Sequence, residues 1–153
     1  LIAALNQSPF NVGMVVELKD FTPEQVVDLD QRHGNPLSAG QAAKISELLG
    51  GHPYLTRKAL YLVASKRETF DDIMKNACED EGPFGDHLRN HLFRMSDHQD
   101  LKSGLNQVIK HRRCADEHVF FRLRGAGLVR RVGNDVLPRN ALYAEYFGRR
   151  LSD

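Results

Sequence analysis

The chain has 153 residues, 41% of them hydrophobic and 27% charged, with 21 Lys and Arg against 20 Asp and Glu. That balance excludes an intrinsically disordered chain, and no apolar run approaches the roughly 18 residues a membrane span requires. Cys78 and Cys114 are isolated and form no C-x-x-C pair, so neither a disulfide framework nor a zinc ribbon is indicated; the thiols are expected to be small core hydrophobes in a cytoplasmic protein.

Leu1-Ile-Ala-Ala-Leu5 is too short for the apolar region of a signal peptide, and a chain opening on Leu rather than Met is expected to be a fragment. Met14-Val-Val-Glu-Leu18 follows the turn-rich Asn6-Gln-Ser-Pro-Phe-Asn-Val-Gly13 and reads as an extended segment or one short strand. Helical signals then take over. Thr22-Pro23-Glu24-Gln25 combines an N-cap, a proline at the first helical position and a capping-box glutamine, opening a helix that ends near His33 with Gly34 as its left-handed cap. Ser38 and Gln41 repeat the capping box for a second helix, whose Ala42, Ile45, Leu48 and Leu49 recur at helical spacing until Gly50-Gly51 stops it.

Pro53 suits the first position of a third helix, with Leu55, Ala59, Leu62 and Val63 as its stripe, and Thr69 caps a shorter fourth one. Glu81-Gly-Pro-Phe-Gly85 interrupts the pattern, and a subdomain boundary is expected there. Beyond it the spacing predicts helices near 86–95, 98–111 and 116–125, a β-hairpin from Leu128-Val-Arg-Arg-Val132 and Val136-Leu-Pro138 around Gly133-Asn-Asp135, and a closing helix from Arg139 to Leu151. Three helices, a hairpin and a helix form the layout of a winged-helix module. The fold expected is mainly α, with one small hairpin.

Charge is unevenly spread. Before Lys110 there are 11 basic and 15 acidic residues; from Lys110 onward there are 10 basic and 5 acidic. A basic C-terminal third fits a nucleic-acid surface, an anionic ligand or docking onto an acidic domain, as well as a merely solvated face. Arg122, Arg124, Arg130 and Arg131 stand where a winged helix would contact DNA. Against that reading, the third helix of the module opens on Asp116 and Glu117, which repel phosphates where bases are normally read.

The sequence carries no G-x-x-x-x-G-K-[ST] phosphate loop, no G-x-S-x-G elbow, no H-E-x-x-H and no spaced Cys/His set. His87 and His91, at i and i+4, are too few to make a metal site by themselves, and none is assigned. Gly50-Gly-His-Pro-Tyr54 is more pointed: two glycines allow close backbone approach, and a helix N-terminus offers N–H groups and positive dipole to a polar ligand. The same pattern also describes a tight interhelical turn. Arg57 lies one turn further on.

Taken together, Asn6 to Gly13, Glu17-Leu-x-Asp-Phe-Thr22, Gly50-Gly-His-Pro-Tyr-Leu55, Gly82-Pro-Phe-Gly-Asp-His-Leu88, Gly127-Leu-Val129 and Arg139-Asn-x-Leu-Tyr-x-x-Tyr-Phe147 resemble the C-terminal half of the AAA-like ATPase domain of bacterial STAND-type signalling proteins. The resemblance implies a four-helix AAA+ lid over 19–81 and a winged helix over 82–153, with residues 1–18 linking them to a P-loop core. By the family's Gly-x-Pro motif, Gly51, His52 and Pro53 would contact adenine, with Asn11, Val12 and Gly13 at the rim of the base pocket and Arg57 as a second-sensor candidate. Some relatives hold a phosphate with a Met-His-Asp element; the corresponding stretch here is Leu137-Pro-Arg-Asn140, where Arg139 would substitute.

The resemblance thus implies the regulatory part of an ATP-dependent molecular switch that gates oligomerisation or an effector. ATP or ADP would be shared with the P-loop core. Without a phosphate loop this chain alone is expected neither to bind nucleotide nor to hydrolyse it, although its parent would be an ATPase. The expected partners are that core and, through it, further copies of the protein, with no membrane. A winged-helix DNA-binding protein and a helical interaction adaptor without nucleotide are the alternatives.

Overall fold

The computed structural model describes residues 19–151. In order these form α1 (Pro23–Arg32), α2 (Ala39–Leu49), α3 (Pro53–Ala64), α4 (Phe70–Asn76), α5 (Gly85–Arg94), α6 (Gln99–His111), α7 (Glu117–Gly125), β1 (Val129–Val132), β2 (Asp135–Pro138) and α8 (Ala141–Leu151). The mainly helical architecture with one antiparallel hairpin is the one expected. Asn11, Val12, Gly13 and Met14–Leu18, for which an extended segment or strand was expected, lie outside the described residues. No helix among the described residues is long and apolar enough to cross a membrane.

The helix starts follow from side-chain chemistry. Thr22 and Ser38 each accept a hydrogen bond from the backbone N–H three residues on, and Gln25 and Gln41 return it, closing both capping boxes. Thr69 caps α4 in the same way, without the return bond. Gly50 ends α2 in the left-handed conformation, at φ 59°.

Two details differ from the expectation. The hairpin turn is only Gly133-Asn134, because Asp135 already pairs with Val132; Gly133, at φ 59°, supplies the positive φ that a two-residue turn demands. The last helix begins at Ala141 rather than Arg139. The Arg139 N–H donates to the Leu128 carbonyl at 2.9 Å, prolonging the hairpin's pairing, and the Asn140 carboxamide oxygen then accepts from the Tyr143 N–H at 2.8 Å as the helix opens.

The buried apolar residues form one cluster that crosses the stretch around residue 81. Ile45, Leu49, Leu55 and Leu60 belong to it, as do Phe84, Leu88, Leu105, Val108 and Phe120. Helix α8 ties the parts together: Leu142, Tyr143, Tyr146 and Phe147 are each 0% exposed, and α8 packs on α2, α5, α6 and β2. Each such side chain gains about 1.5–3 kcal/mol by burial, before the entropy of ordering is subtracted. At the interrupted stretch, Asp80 accepts from the Tyr146 hydroxyl at 2.8 Å and from Arg150 at 3.1 Å, while the Arg150 guanidinium covers the Tyr146 ring at 3.7 Å. Cys78 is buried as expected, and Cys114 is partly so.

Candidate functional site

The site begins where α2 gives way to α3. Gly51 has φ 73°, and a Cβ there would lie 1.9 Å from the Phe21 carbonyl oxygen. Only glycine therefore lets the segment ahead of α1 press against this turn, and the Phe21 N–H donates to the Gly51 carbonyl at 2.7 Å. His52 is the N-cap of α3: its Nδ1 accepts from the Leu55 N–H at 3.3 Å. A nitrogen that accepts carries no proton, so the imidazole is neutral with its hydrogen on Nε2. Burial, reinforced by the nearby Arg139 guanidinium, pushes the His52 pKa down to about 4. Pro53 has no N–H and the Leu55 N–H is taken, which leaves the Tyr54 N–H as the donor of this first turn.

Behind His52 lies a set of packed rings. His87 meets His52 at 5.1 Å and His91 at 4.8 Å between ring centroids, and the Tyr54 ring stacks on His87 at 5.5 Å. His87 Nε2 and the Tyr143 hydroxyl are 2.6 Å apart. Burial raises the Tyr143 pKa and lowers that of His87 to about 4, so the hydroxyl donates and the imidazole accepts. His91 is also pushed down to about 4 by burial and then by His87. The i, i+4 histidines of α5 thus spend their rings on neighbouring aromatics.

In front of His52 opens a cavity of about 720 Å³, within the range of small-molecule sites. His52, Pro53 and Tyr54 contribute one part of its wall; Arg124 at the end of α7 and Arg130 and Arg131 of β1 contribute another. Lys19, Asp20 and Arg139 complete the charged lining. Arg139 donates to Asp20 Oδ1 from Nη2 at 2.7 Å and from Nε at 3.2 Å, and to the Gly127 carbonyl at 3.4 Å. Arg131 lies over the Phe120 ring at 4.4 Å. Five cations face one carboxylate, a lining that suits a polyanion.

A family model described as an AAA-like domain matches residues 1–149. The chain belongs to that family. No curated protein and no solved structure gave a match. In this AAA-like domain the folded chain brings His52 and Pro53 of the Gly-x-Pro stretch into one cavity with Arg139, Arg124, Arg130 and Arg131. Gly51 backs that cavity without lining it, its α-carbon being turned to Phe21. Arg57 lies over the Phe21 ring at 5.4 Å, away from the lining, and Arg122 pairs with Asp100 at 3.1 Å.

Several residues of the site had no role in the sequence reading of this AAA-like domain. Lys19, Asp20, Tyr54 and Tyr143 are the main ones, and His87 entered it only beside His91 as an insufficient metal pair. Asp20, Tyr54, His87 and Tyr143 lie inside the segments that carried the resemblance, which is the signal that pointed to them. Asn140 is another: it is 6% exposed, and its Nδ2 has no partner among the described residues. It lines a second cavity of about 540 Å³ that shares Asp20, Arg130 and Arg139 with the first.

Proposed function

We propose that this AAA-like domain is the lid and winged-helix portion of a STAND-type, ATP-dependent switch, whose cavity receives ATP or ADP held by a P-loop core. One observation carries the reading: His52 and Pro53, the positions of the adenine-contacting motif, share a cavity with Arg139 and three further arginines. Its size and charge both fit a nucleotide. Bound nucleotide supplies the difference between a diphosphate and a triphosphate; everything else is done by the chain's own residues.

Pro53 and Tyr54 give the base an apolar wall, and the neutral His52 leaves its Nε2 hydrogen for a ring nitrogen of adenine. The first turn of α3 has only the Tyr54 N–H unused, a weak anchor for phosphate. Phosphate oxygens instead meet guanidinium groups, which offer forked, charge-assisted hydrogen bonds. Nucleotide state biases the packing of the chain against the core, and that bias gates oligomerisation and effector activation.

The test is calorimetric titration of ATP and ADP into a protein carrying both the core and this chain. Pro53→Ala and Arg139→Ala are each expected to weaken nucleotide binding, by roughly 1–3 kcal/mol for the loss of a charge-assisted contact at Arg139. Unchanged affinity in both variants would reject the reading. A winged-helix DNA-binding role rests on the unpaired Arg124 and Arg130, and predicts duplex affinity that falls steeply with salt. The cavity's concave shape and the acids at the start of α7 favour the smaller ligand. Partner binding indifferent to ATP and ADP would point to the adaptor instead.

A further inference from the structure

The cavity holds more positive charge than its own carboxylate balances. The side chains of Lys19, Arg124 and Arg130 line it without a hydrogen bond, ion pair or ring contact among the described residues. These three side chains are exposed, and like charges gathered along one concave surface raise the local positive potential that attracts an anion. Asp20 is the one acid of the lining, and both its bonds from Arg139 end on a single oxygen, Oδ1. Phosphate oxygens accept charge-assisted hydrogen bonds from the same guanidinium N–H groups. The carboxylate therefore occupies a position that a phosphate would contest.

We propose that Asp20 is an internal competitor for a polyphosphate anion: the ligand's diphosphate or triphosphate group binds by taking Arg139 from Asp20, while Lys19, Arg124 and Arg130 receive the remaining charge. The proposal deepens the reading of this cavity as the nucleotide site and rests on it. Asp20 is well placed to report occupancy. The adjacent Phe21 is fixed to Gly51 by its backbone bond, whereas Arg139 sits between β2 and α8. Exchange of the carboxylate for a phosphate unlatches the segment ahead of α1 from the hairpin end of the molecule. Because each added phosphate brings more charge to the unpaired cations, triphosphate competes better than diphosphate. Asp20 thereby sets a threshold of ligand charge.

The experiment titrates inorganic triphosphate, pyrophosphate and sulfate into the 153-residue chain, in the presence of EDTA and over a range of salt. Triphosphate is expected to bind more tightly than sulfate, with affinity falling as salt rises. Asp20→Asn should bind triphosphate at least about fivefold more tightly, the lower end of couplings between linked sites. The Arg124→Ala/Arg130→Ala double variant should bind more weakly, with a shallower salt dependence.

Removing Asp20 also removes an ion pair, so thermal midpoints are recorded for Asp20→Asn and Asp20→Ser. Tighter binding by a variant that melts no higher than the parent separates competition from a scaffold effect. Unchanged or weaker binding in both variants, or sulfate binding as well as triphosphate, overturns the proposal. ATP binding by the core-containing protein that depends on Pro53, alongside triphosphate binding that ignores Asp20, would remove this inference and leave the nucleotide reading standing. A triphosphate response to Asp20 with no preference for ATP would do the reverse.

Discussion

At residue scale the turn that opens α3 is the most constrained point of the site. Gly51 combines a φ of 73° with a near contact to the Phe21 carbonyl. Gly51→Ala is therefore expected to cost roughly 1–3 kcal/mol from the positive φ alone, and more as Phe21 is displaced; urea denaturation measures it. Glycine and proline punctuate a sequence visibly, which is why Gly51, His52 and Pro53 were legible as a unit. The cap made by the His52 ring was not, since histidine is not among the residues that usually cap helices. Nor was the Asp20–Arg139 pair, whose members are 119 residues apart and share no local pattern. The partners of Arg57 and Arg122, Phe21 and Asp100, are likewise far away in sequence and had no local signal.

At the scale of elements, local chemistry predicted almost every boundary. The Thr22 and Ser38 capping boxes and the Thr69 cap set the starts of α1, α2 and α4 from a few neighbouring atoms, so the sequence alone displays them. The start of α8 depends on something distant: the Leu128 carbonyl that holds the Arg139 N–H in the hairpin. The pattern of apolar residues in Leu142, Tyr143, Tyr146 and Phe147 continues unaltered whether the helix begins at Arg139 or Ala141, so periodicity has no means of choosing. Asn140 makes the choice physical by capping the helix. Asn140→Ala is expected to destabilise the protein by about 0.5–2 kcal/mol, read from the shift in denaturation midpoint.

Across the whole molecule, three neutral histidines tie stability to pH. His52, His87 and His91 titrate at about 4 in the folded chain against an ordinary value of 6.5. As pH falls below 6.5 the unfolded chain takes up protons that the folded chain refuses. Stability is complete above that value, and it declines down to about 4, where the folded imidazoles begin to charge as well. The thermal midpoint is accordingly expected to drop between pH 7 and pH 4, and His91→Phe, with one such group fewer, should show a shallower fall. A pH-independent midpoint over that interval would contradict the neutral assignment.

The same rings also hold the molecule together. The break in helical pattern near residue 81 suggests a boundary, yet the buried cluster runs through it, and the rings of His52, His87 and Tyr143 join the start of α3 to α5 and α8. Between the α2–α3 turn and α8 the contact runs through packed, buried rings. The start of α3 and the last helix are thus anchored in the same packing, and the two sides of the expected boundary have no separate cores.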